Sequence, residues 1–393
     1  MPIPAPTSPA LRVPRSGIRT LMDLALRDPD ALHLEIGEPD QGVAAHVIEA
    51  AAAAGREGRT GYTSSTGLPG LRAAVADRVT ARSGRATSPD DVVVTHGAMH
   101  GLAMAFQALL GPGDEVLVPD PAFPNWAMAA TAAGAGVRTY PTRPEHGYVP
   151  VVAEVEAAIT PRTRALLVCS PNNPTGAVYP AAVLAQLVEI ARRHDLWLLS
   201  DECYEAITFG VPFVSPAAFD TDGRVVVFGS VSKTYGMTGW RIGWVATPSH
   251  ELREVLGHLS EALVACPSTV GQVGALAALT GPQDGVELAV ASYRERRDAA
   301  TELLTARGVG FTRPEGAFYL LVDVEDDDTD AFAQRFLARR HVAVAPGATF
   351  GLQAAGRVRV SLASARPVLL EGLARLADEV VAARSARAEA LAR

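Results

Sequence analysis

Short apolar runs alternate with helix-period patterns along most of the chain. Runs at 92–95, 116–119, 137–140, 165–169, 197–201, 225–229 and 242–246 read as strands. They are near-continuously apolar, the pattern of strands buried on both faces. Between them, residues 99–110, 125–133 and 181–194 carry apolar side chains at helical spacing. Strand–helix alternation of this kind predicts an α/β architecture, a mostly parallel seven-stranded sheet between helices, over residues 46–285. After 285 the pattern changes. A long charged helix over 286–307 leads to strands at 308–312 and 318–323 and a helix at 329–340. Short strands at 342–345 and 357–361 and a C-terminal helix follow, which predicts a smaller α+β domain over 286–393. Residues 1–45 have no room for a core of their own and are expected to pack on that smaller domain.

Composition narrows the class. The chain has 393 residues, 48% hydrophobic and 20% charged, so it is globular and long enough for sizeable cores. Its net charge of −8 argues against nucleic acid as a partner. The densest arginine group, Arg294, Arg296 and Arg297, lies beside Glu295 and Asp298 in a helical pattern and reads as a solvated face. The uncharged stretches 92–113 and 262–283 are broken by glycine, histidine or proline, which argues against a membrane span. Residues 1–14 are proline-rich with no apolar core, unlike a signal peptide. Cys169, Cys203 and Cys266 form no Cys-x-x-Cys pair and the histidines no metal-binding spacing. No metal or disulfide framework is expected, and a reducing cytoplasm is the expected location.

One feature of the charge is unusual. Of 35 basic side chains, Lys233 is the single lysine. A codon bias that favours arginine accounts for the others. Arginine cannot stand in where a nucleophilic amine is needed, because its guanidinium stays protonated. Lys233 is therefore the first candidate for chemistry.

The segments that bear polar groups sit at the ends of the predicted strands, where doubly wound sheets bind ligands. Strand 225–229 runs into Ser230-Val-Ser-Lys233, with Arg241 eight residues beyond the lysine. Serine hydroxyls, loop N–H groups and an arginine fork make a phosphate cradle. A P-loop is excluded, since its two glycines would fall at Val227 and Ser232. Strand 197–201 ends in Asp201-Glu-Cys-Tyr204, and strand 165–169 in Ser170-Pro-Asn-Asn-Pro-Thr-Gly176. Strand 92–95 turns through His96-Gly97 into a helix whose first N–H groups suit an anion. Ile36-Gly-Glu-Pro-Asp40, Gly61-Tyr62, Pro121-Ala-Phe-Pro124 and Arg357-Val-Arg-Val-Ser361 complete the set.

Together and in this order, these segments resemble the class I/II pyridoxal-phosphate (PLP) aminotransferases, the aspartate-aminotransferase-like family of fold type I. The resemblance runs from Ser16-Gly-Ile-Arg19 to the C-terminal helix. It implies that Lys233 is the Schiff-base lysine and that Asp201 pairs with the pyridine nitrogen. Asn173 and Tyr204 would hydrogen-bond the ring's phenolic oxygen, and Phe123 would stack on the ring. The phosphate would be held at Ala98 and Met99 by backbone, and by Ser230, Ser232 and Arg241. Tyr62 would reach the phosphate of a neighbouring subunit, which implies a homodimer. Arg359 and Gly37 would meet the substrate α-carboxylate, with Asn173 beside them. Ile18 and Phe123 would read the substrate's side chain.

The implied reaction is transfer of the α-amino group of an L-amino acid to a 2-oxo acid by ping-pong kinetics. A lyase or cyclising enzyme of the same fold is the alternative. A PLP-sensing transcription factor would need a DNA-binding module before Ser16, where only 15 residues stand. Met99 offers no charge, and no second arginine is placed by sequence on a dicarboxylate side chain. The lone lysine makes a direct test. Borohydride reduction of the PLP-loaded protein should fix the cofactor on Lys233, with the N-terminal amine as the one rival. A Lys233→Ala variant that transaminates near the parent rate would overturn the assignment.

Overall fold

The computed structural model describes residues 8–391. The proline-rich start, residues 1–7, on which the signal-peptide reading partly rests, lies outside them. A two-residue strand β1 (Leu32–His33) precedes a seven-stranded sheet. Its strands are β2 (Val92–Thr95), β3 (Glu115–Asp120), β4 (Gly136–Pro141), β5 (Thr163–Cys169), β6 (Trp197–Asp201), β7 (Val225–Ser230) and β8 (Gly243–Ala246). The spatial order is β2-β8-β7-β6-β5-β3-β4. All neighbours are parallel except β8, which runs antiparallel to both β2 and β7.

The apolar runs have a simple cause. Successive side chains leave a strand on opposite faces. Val225 and Val227 pack into one core, Val226 and Phe228 into another. Leu198 and Leu199 divide the same way, as do Leu166 and Leu167. With helices on both faces, the strand interiors are apolar, and the buried polar residues Ser200, Asp201 and Ser230 stand at the carboxyl ends. Burying each Val or Leu is worth roughly 1.5–3 kcal/mol. The edge strand β4 departs from the expected two-sided burial. Its first four residues are exposed, whereas β2 at the opposite edge is buried throughout.

A second, four-stranded sheet follows, from β9 (Phe311–Thr312), β10 (Tyr319–Asp323), β12 (Ala345–Pro346) and β13 (Arg357–Ser361), while β11 (Val342–Ala343) forms a separate two-stranded sheet with β1. The antiparallel order is β12-β13-β10-β9. The single strand expected at 342–345 is in fact two. Val342–Ala343 pairs with β1, whereas Ala345–Pro346 pairs with β13. The chain changes partner between them. Helix Gly17–Ala25 buries Ile18, Leu21 and Ala25 on one stripe. Leu21 and Ala25 join the core under the second sheet, and Ile18 packs with Ala345, Phe350 and Ala354.

The arginine group in helix Asp284–Ala306 is not the solvated face that its charged neighbours suggest. Arg294 is exposed, but Arg297 is 6% exposed and lies over the Phe209 ring at 4.8 Å. Arg296 holds Asp40 at 2.8 and 3.0 Å and donates to the carbonyls of Leu362, Ala363 and Ser364. A guanidinium's five donors can cap a run of carbonyls that a loop leaves unpaired. Among the described residues, no helix is long and apolar enough to cross a membrane.

Glu202, next to the end of β6, is buried and accepts from Ser200 Oγ at 2.9 Å and Ser215 Oγ at 2.6 Å. Burial pushes its carboxyl up from 4.5 to about 7, against the pull of those two serines. The folded state therefore holds this proton more tightly than the unfolded chain does. The stability that goes with it is full below 4.5 and is lost as pH rises through about 7. Glu202→Gln keeps the acceptor and removes the charge. Its melting temperature relative to the parent should be higher at pH 8 than at pH 5. Equal differences at the two pH values would refute this.

Candidate active site

The carboxyl ends of β5, β6 and β7 open on one side of the large sheet, facing the second sheet and helix Gly17–Ala25. A cavity of about 530 Å³ lies there. Lys233, Asp201, Tyr204, Asn173, Arg241 and Arg359 all line it. So do Ala98, Met99, Phe123, Ser230, Ser232, Gly37 and Ile18. Of the residues expected in the site, the structure leaves out Tyr62, which is 90% exposed and does not line the cavity of its own chain.

Lys233 follows β7 by a short turn, and its Nζ donates to the Gly37 carbonyl at 2.7 Å. Gly37 has no room for a side chain: a Cβ there would lie 1.8 Å from Tyr319 Oη. Asp201 ends β6 in the floor of the cavity. Its carboxylate accepts from Trp126 Nε1 and from the Cys203 backbone N–H, both at 3.2 Å. Burial raises its pKa, and these donors and Lys233 only partly offset the effect. A buried carboxylate held this way gains from a cationic N–H partner. Cys169 and Cys203 also line the cavity, but burial pushes both thiols up, so neither is poised as a thiolate nucleophile.

At the other end, helix Ala98–Leu109 presents its first N–H groups, the positive end of its dipole. Ser230 and Ser232 flank it. Arg241 adopts a left-handed backbone at φ 58° and donates to the Thr238 carbonyl at 2.7 Å. It has no carboxylate partner among the described residues. At Gly97, where φ is 76°, a Cβ would press on the Arg241 guanidinium at 2.6 Å, so the bare backbone lets the arginine close on the helix start. His100, one turn in, is pushed down to about 4 by burial, with His96 adding to the effect. It is neutral at pH 7, and the anion cradle draws its charge from Arg241 and the helix end.

Arg359, central in β13, is 2% exposed. Its Nη1 donates to Asn173 Oδ1 at 2.9 Å and its Nη2 to the Glu35 carbonyl at 2.5 Å. The rings of Tyr319 and Phe350 lie 4.2 and 4.9 Å from its guanidinium carbon. Burial lowers its pKa, opposed by Tyr319, Tyr204 and Glu35. The Asn173 carbonyl oxygen is thus engaged with Arg359, which leaves its NH₂ to donate elsewhere. Tyr204 Oη lies 2.9 Å from Tyr319 Oη.

Among the cavity residues to which sequence reasoning gave no role are Tyr319, Arg19 and Met22. Tyr319 has no flanking polar signature and looks like any apolar strand position. Arg19 and Met22 come from helix Gly17–Ala25, where Arg19 Nη1 touches Met22 Sδ at 3.1 Å. The Ser16-Gly-Ile-Arg19 segment carried that arginine, but its aim into the cavity depends on how the helix packs. Among the described residues, no group of three His, Cys, Asp or Glu is placed to hold a metal ion.

The cavity therefore offers one amine, a buried carboxylate that would gain from a protonated nitrogen, and an anion cradle whose arginine bonds no carboxylate among the described residues. These needs match the aldehyde, ring nitrogen and phosphate of PLP. Comparison with known proteins agrees. The family of class I and II aminotransferases matches residues 29–376. An aspartate/prephenate aminotransferase of Thermus thermophilus is 40% identical over 362 residues, covering 91% of this chain and 92% of that protein. An arginine–pyruvate transaminase of Pseudomonas aeruginosa is 38% identical, covering 88% and 89%. Among solved structures, the aspartate aminotransferase of Thermus thermophilus with maleate superposes with a TM-score of 0.92 at 37% identity, covering 96% of this chain and 100% of that one. With its fold, its cavity and its relatives in agreement, the chain belongs to the class I and II aminotransferases, PLP-dependent enzymes of fold type I.

Proposed function

We propose that Lys233 carries the transamination, with an L-amino acid as amino donor and a 2-oxo acid as acceptor. The observation behind this is the convergence of the chain's single lysine, Asp201, the anion cradle and Arg359 on one cavity. PLP, when bound, supplies an aldehyde that takes up the amino group and a ring that holds the electron pair released at the α-carbon. Lys233 Nζ, once free of its covalent bond, is the amine that moves the proton to and from the α-carbon. Asp201 keeps a proton on the ring nitrogen, where a buried carboxylate acts in a low dielectric. Asn173 and Tyr204 would donate to the phenolic oxygen, and Phe123 would pack on the ring. Ala98, Met99, Ser230, Ser232 and Arg241 anchor the phosphate. Arg359 takes the substrate α-carboxylate, with the Gly37 segment alongside, and so aligns the reacting bond.

Arg19 bears on the substrate. Helix Gly17–Ala25 sets Ile18, Arg19 and Met22 along the cavity wall, and Arg19 has no carboxylate partner among the described residues. Lys233, Arg241 and Arg359 are each assigned, so Arg19 is the cation left for a substrate's side chain. This favours an acidic amino acid, a possibility the sequence left without an anchor. Two named relatives differ here, one acting on aspartate and prephenate, the other on arginine and pyruvate. Overall identity at this level does not fix the side chain.

Tyr62 supports a homodimer. It is 90% exposed on a chain that buries its other tyrosines almost or partly, and its expected partner is the phosphate in a second copy. A cytoplasmic location completes the proposal.

Mixing the PLP-loaded protein with single amino acids and following the cofactor's absorbance tests transfer. Conversion to pyridoxamine phosphate is expected with L-aspartate or L-glutamate. No conversion with any amino acid would refute transfer and leave the lyase or cyclising alternative. Arg19→Met should lower kcat/KM for the acidic substrate roughly tenfold to a hundredfold. Neutral amino acids should change much less, and equal losses for both would refute the role of Arg19. Sedimentation should show a dimer, and Tyr62→Phe should weaken PLP binding without changing that assembly. Unaltered PLP affinity would refute the shared site.

A further inference from the structure

Tyr319 opens β10 and is 2% exposed, yet its ring and hydroxyl reach three parts of the site at once. The hydroxyl lies 2.9 Å from Tyr204 Oη. It also fills the space that a side chain at residue 37 would need. The carbonyl of that same Gly37 accepts from Lys233 Nζ at 2.7 Å. The ring face carries the Arg359 guanidinium at 4.2 Å.

The hydroxyl pair poses a question of direction. Each phenol has one hydrogen, so a bond between them uses the hydrogen of one and leaves that of the other. If Tyr204 donated to Tyr319, it would have nothing to offer the cavity. The surroundings differ in a way that decides the matter. Tyr319 lies face-on to a guanidinium, which draws density from the ring and makes its O–H the stronger donor. The Tyr204 ring meets its neighbours Phe318 and Tyr319 edge-on, at 5.5 and 5.7 Å. Arg359 also acts on Tyr204, but its face-on contacts are with Tyr319 and Phe350.

We propose that Tyr319 is a positioning residue: its hydroxyl donates to Tyr204 Oη and thereby aims the Tyr204 hydrogen into the cavity. This rests on the reading that Tyr204 donates to the phenolic oxygen of PLP. Accepting one bond while donating another strengthens the second, so Tyr319 also sharpens Tyr204 as a donor. Through the same ring, Tyr319 couples that donor to the arginine that takes the substrate carboxylate.

The test is a cycle of Tyr204→Phe, Tyr319→Phe and the double variant, each loaded with PLP. The readout is the pH midpoint of the visible absorbance of the Lys233-bound cofactor. A donor at the phenolic oxygen draws density from it and weakens its hold on the proton shared with Lys233 Nζ. Losing the donor therefore moves the midpoint up. Tyr204→Phe should raise it, and Tyr319→Phe should raise it by a smaller amount, roughly half a pH unit. The double variant should match Tyr204→Phe alone, because Tyr319 acts through Tyr204. PLP affinity, measured by dialysis of PLP against the apoprotein, should follow the same order. A residue that only packs against Arg359 and Gly37 would not move the midpoint, since phenylalanine keeps the ring. An unshifted Tyr319→Phe, or a double variant whose shift is the sum of the two, would overturn the inference. An unshifted Tyr204→Phe would instead overturn the reading of Tyr204, and this inference with it.

Discussion

A guanidinium withdrawn from water is the constraint around which this molecule closes. Arg359 loses nearly all of its hydration, and no carboxylate bonds it directly. Its charge is met by an amide oxygen from the loop after β5, a main-chain carbonyl from the segment after β1, and two aromatic faces. Those partners come from the large sheet's edge, the N-terminal segment and the second sheet. A buried charge left without such partners is costly by several kcal/mol. The three parts must therefore meet at Arg359 or leave it stranded. Glu35 contributes from a distance as well: its buried carboxylate lies within the field of the arginine while one oxygen accepts from His33 at 2.9 Å. No carboxylate hydrogen-bonds the guanidinium, which is the condition the proposed binding of a substrate carboxylate needs.

The seven strands were legible because both faces of each inner strand are buried, which leaves polar residues only near the strand ends. Legibility fails where that condition lapses. At β4 the run at 137–140 is exposed over its first three residues, and Tyr140 alone of it is buried. Between residues 343 and 345 the chain changes sheets, which an apolar run cannot signal. Arg297 is a more instructive case. Its charged neighbours suggested solvent, yet it shares a helix stripe with Ala289, Tyr293, Ala300 and Leu304, all buried. The period of that stripe carried the information, and the local charge masked it.

The same distinction runs through the site. Lys233, Asp201, Asn173 and the phosphate turn stand next to the strands that place them, so short segments reveal them. Tyr319 and Arg19 reach the cavity from elements that meet it only when the second sheet and the first described helices dock. Tyr319 has no polar signal around it, and the Ser16-Gly-Ile-Arg19 segment pointed to Ile18 and not to the arginine beside it. Gly37 was named for its place beside the substrate, but the reason for its missing side chain is the Tyr319 hydroxyl on its other side. Residues that complete a site by closing over it carry a weaker local signature than those that form its floor.

The bond between Lys233 Nζ and the Gly37 carbonyl has a further consequence. A chain of 393 residues with one lysine has one ε-amine. Isotope labelling at lysine would yield a single side-chain resonance, and that resonance belongs to the amine that lines the cavity. Its chemical shift reports directly on whether the amine is hydrogen-bonded to main chain, covalently engaged or free. In most enzymes such a signal must be picked out from many surface lysines. Here the composition of the chain has already done the selection.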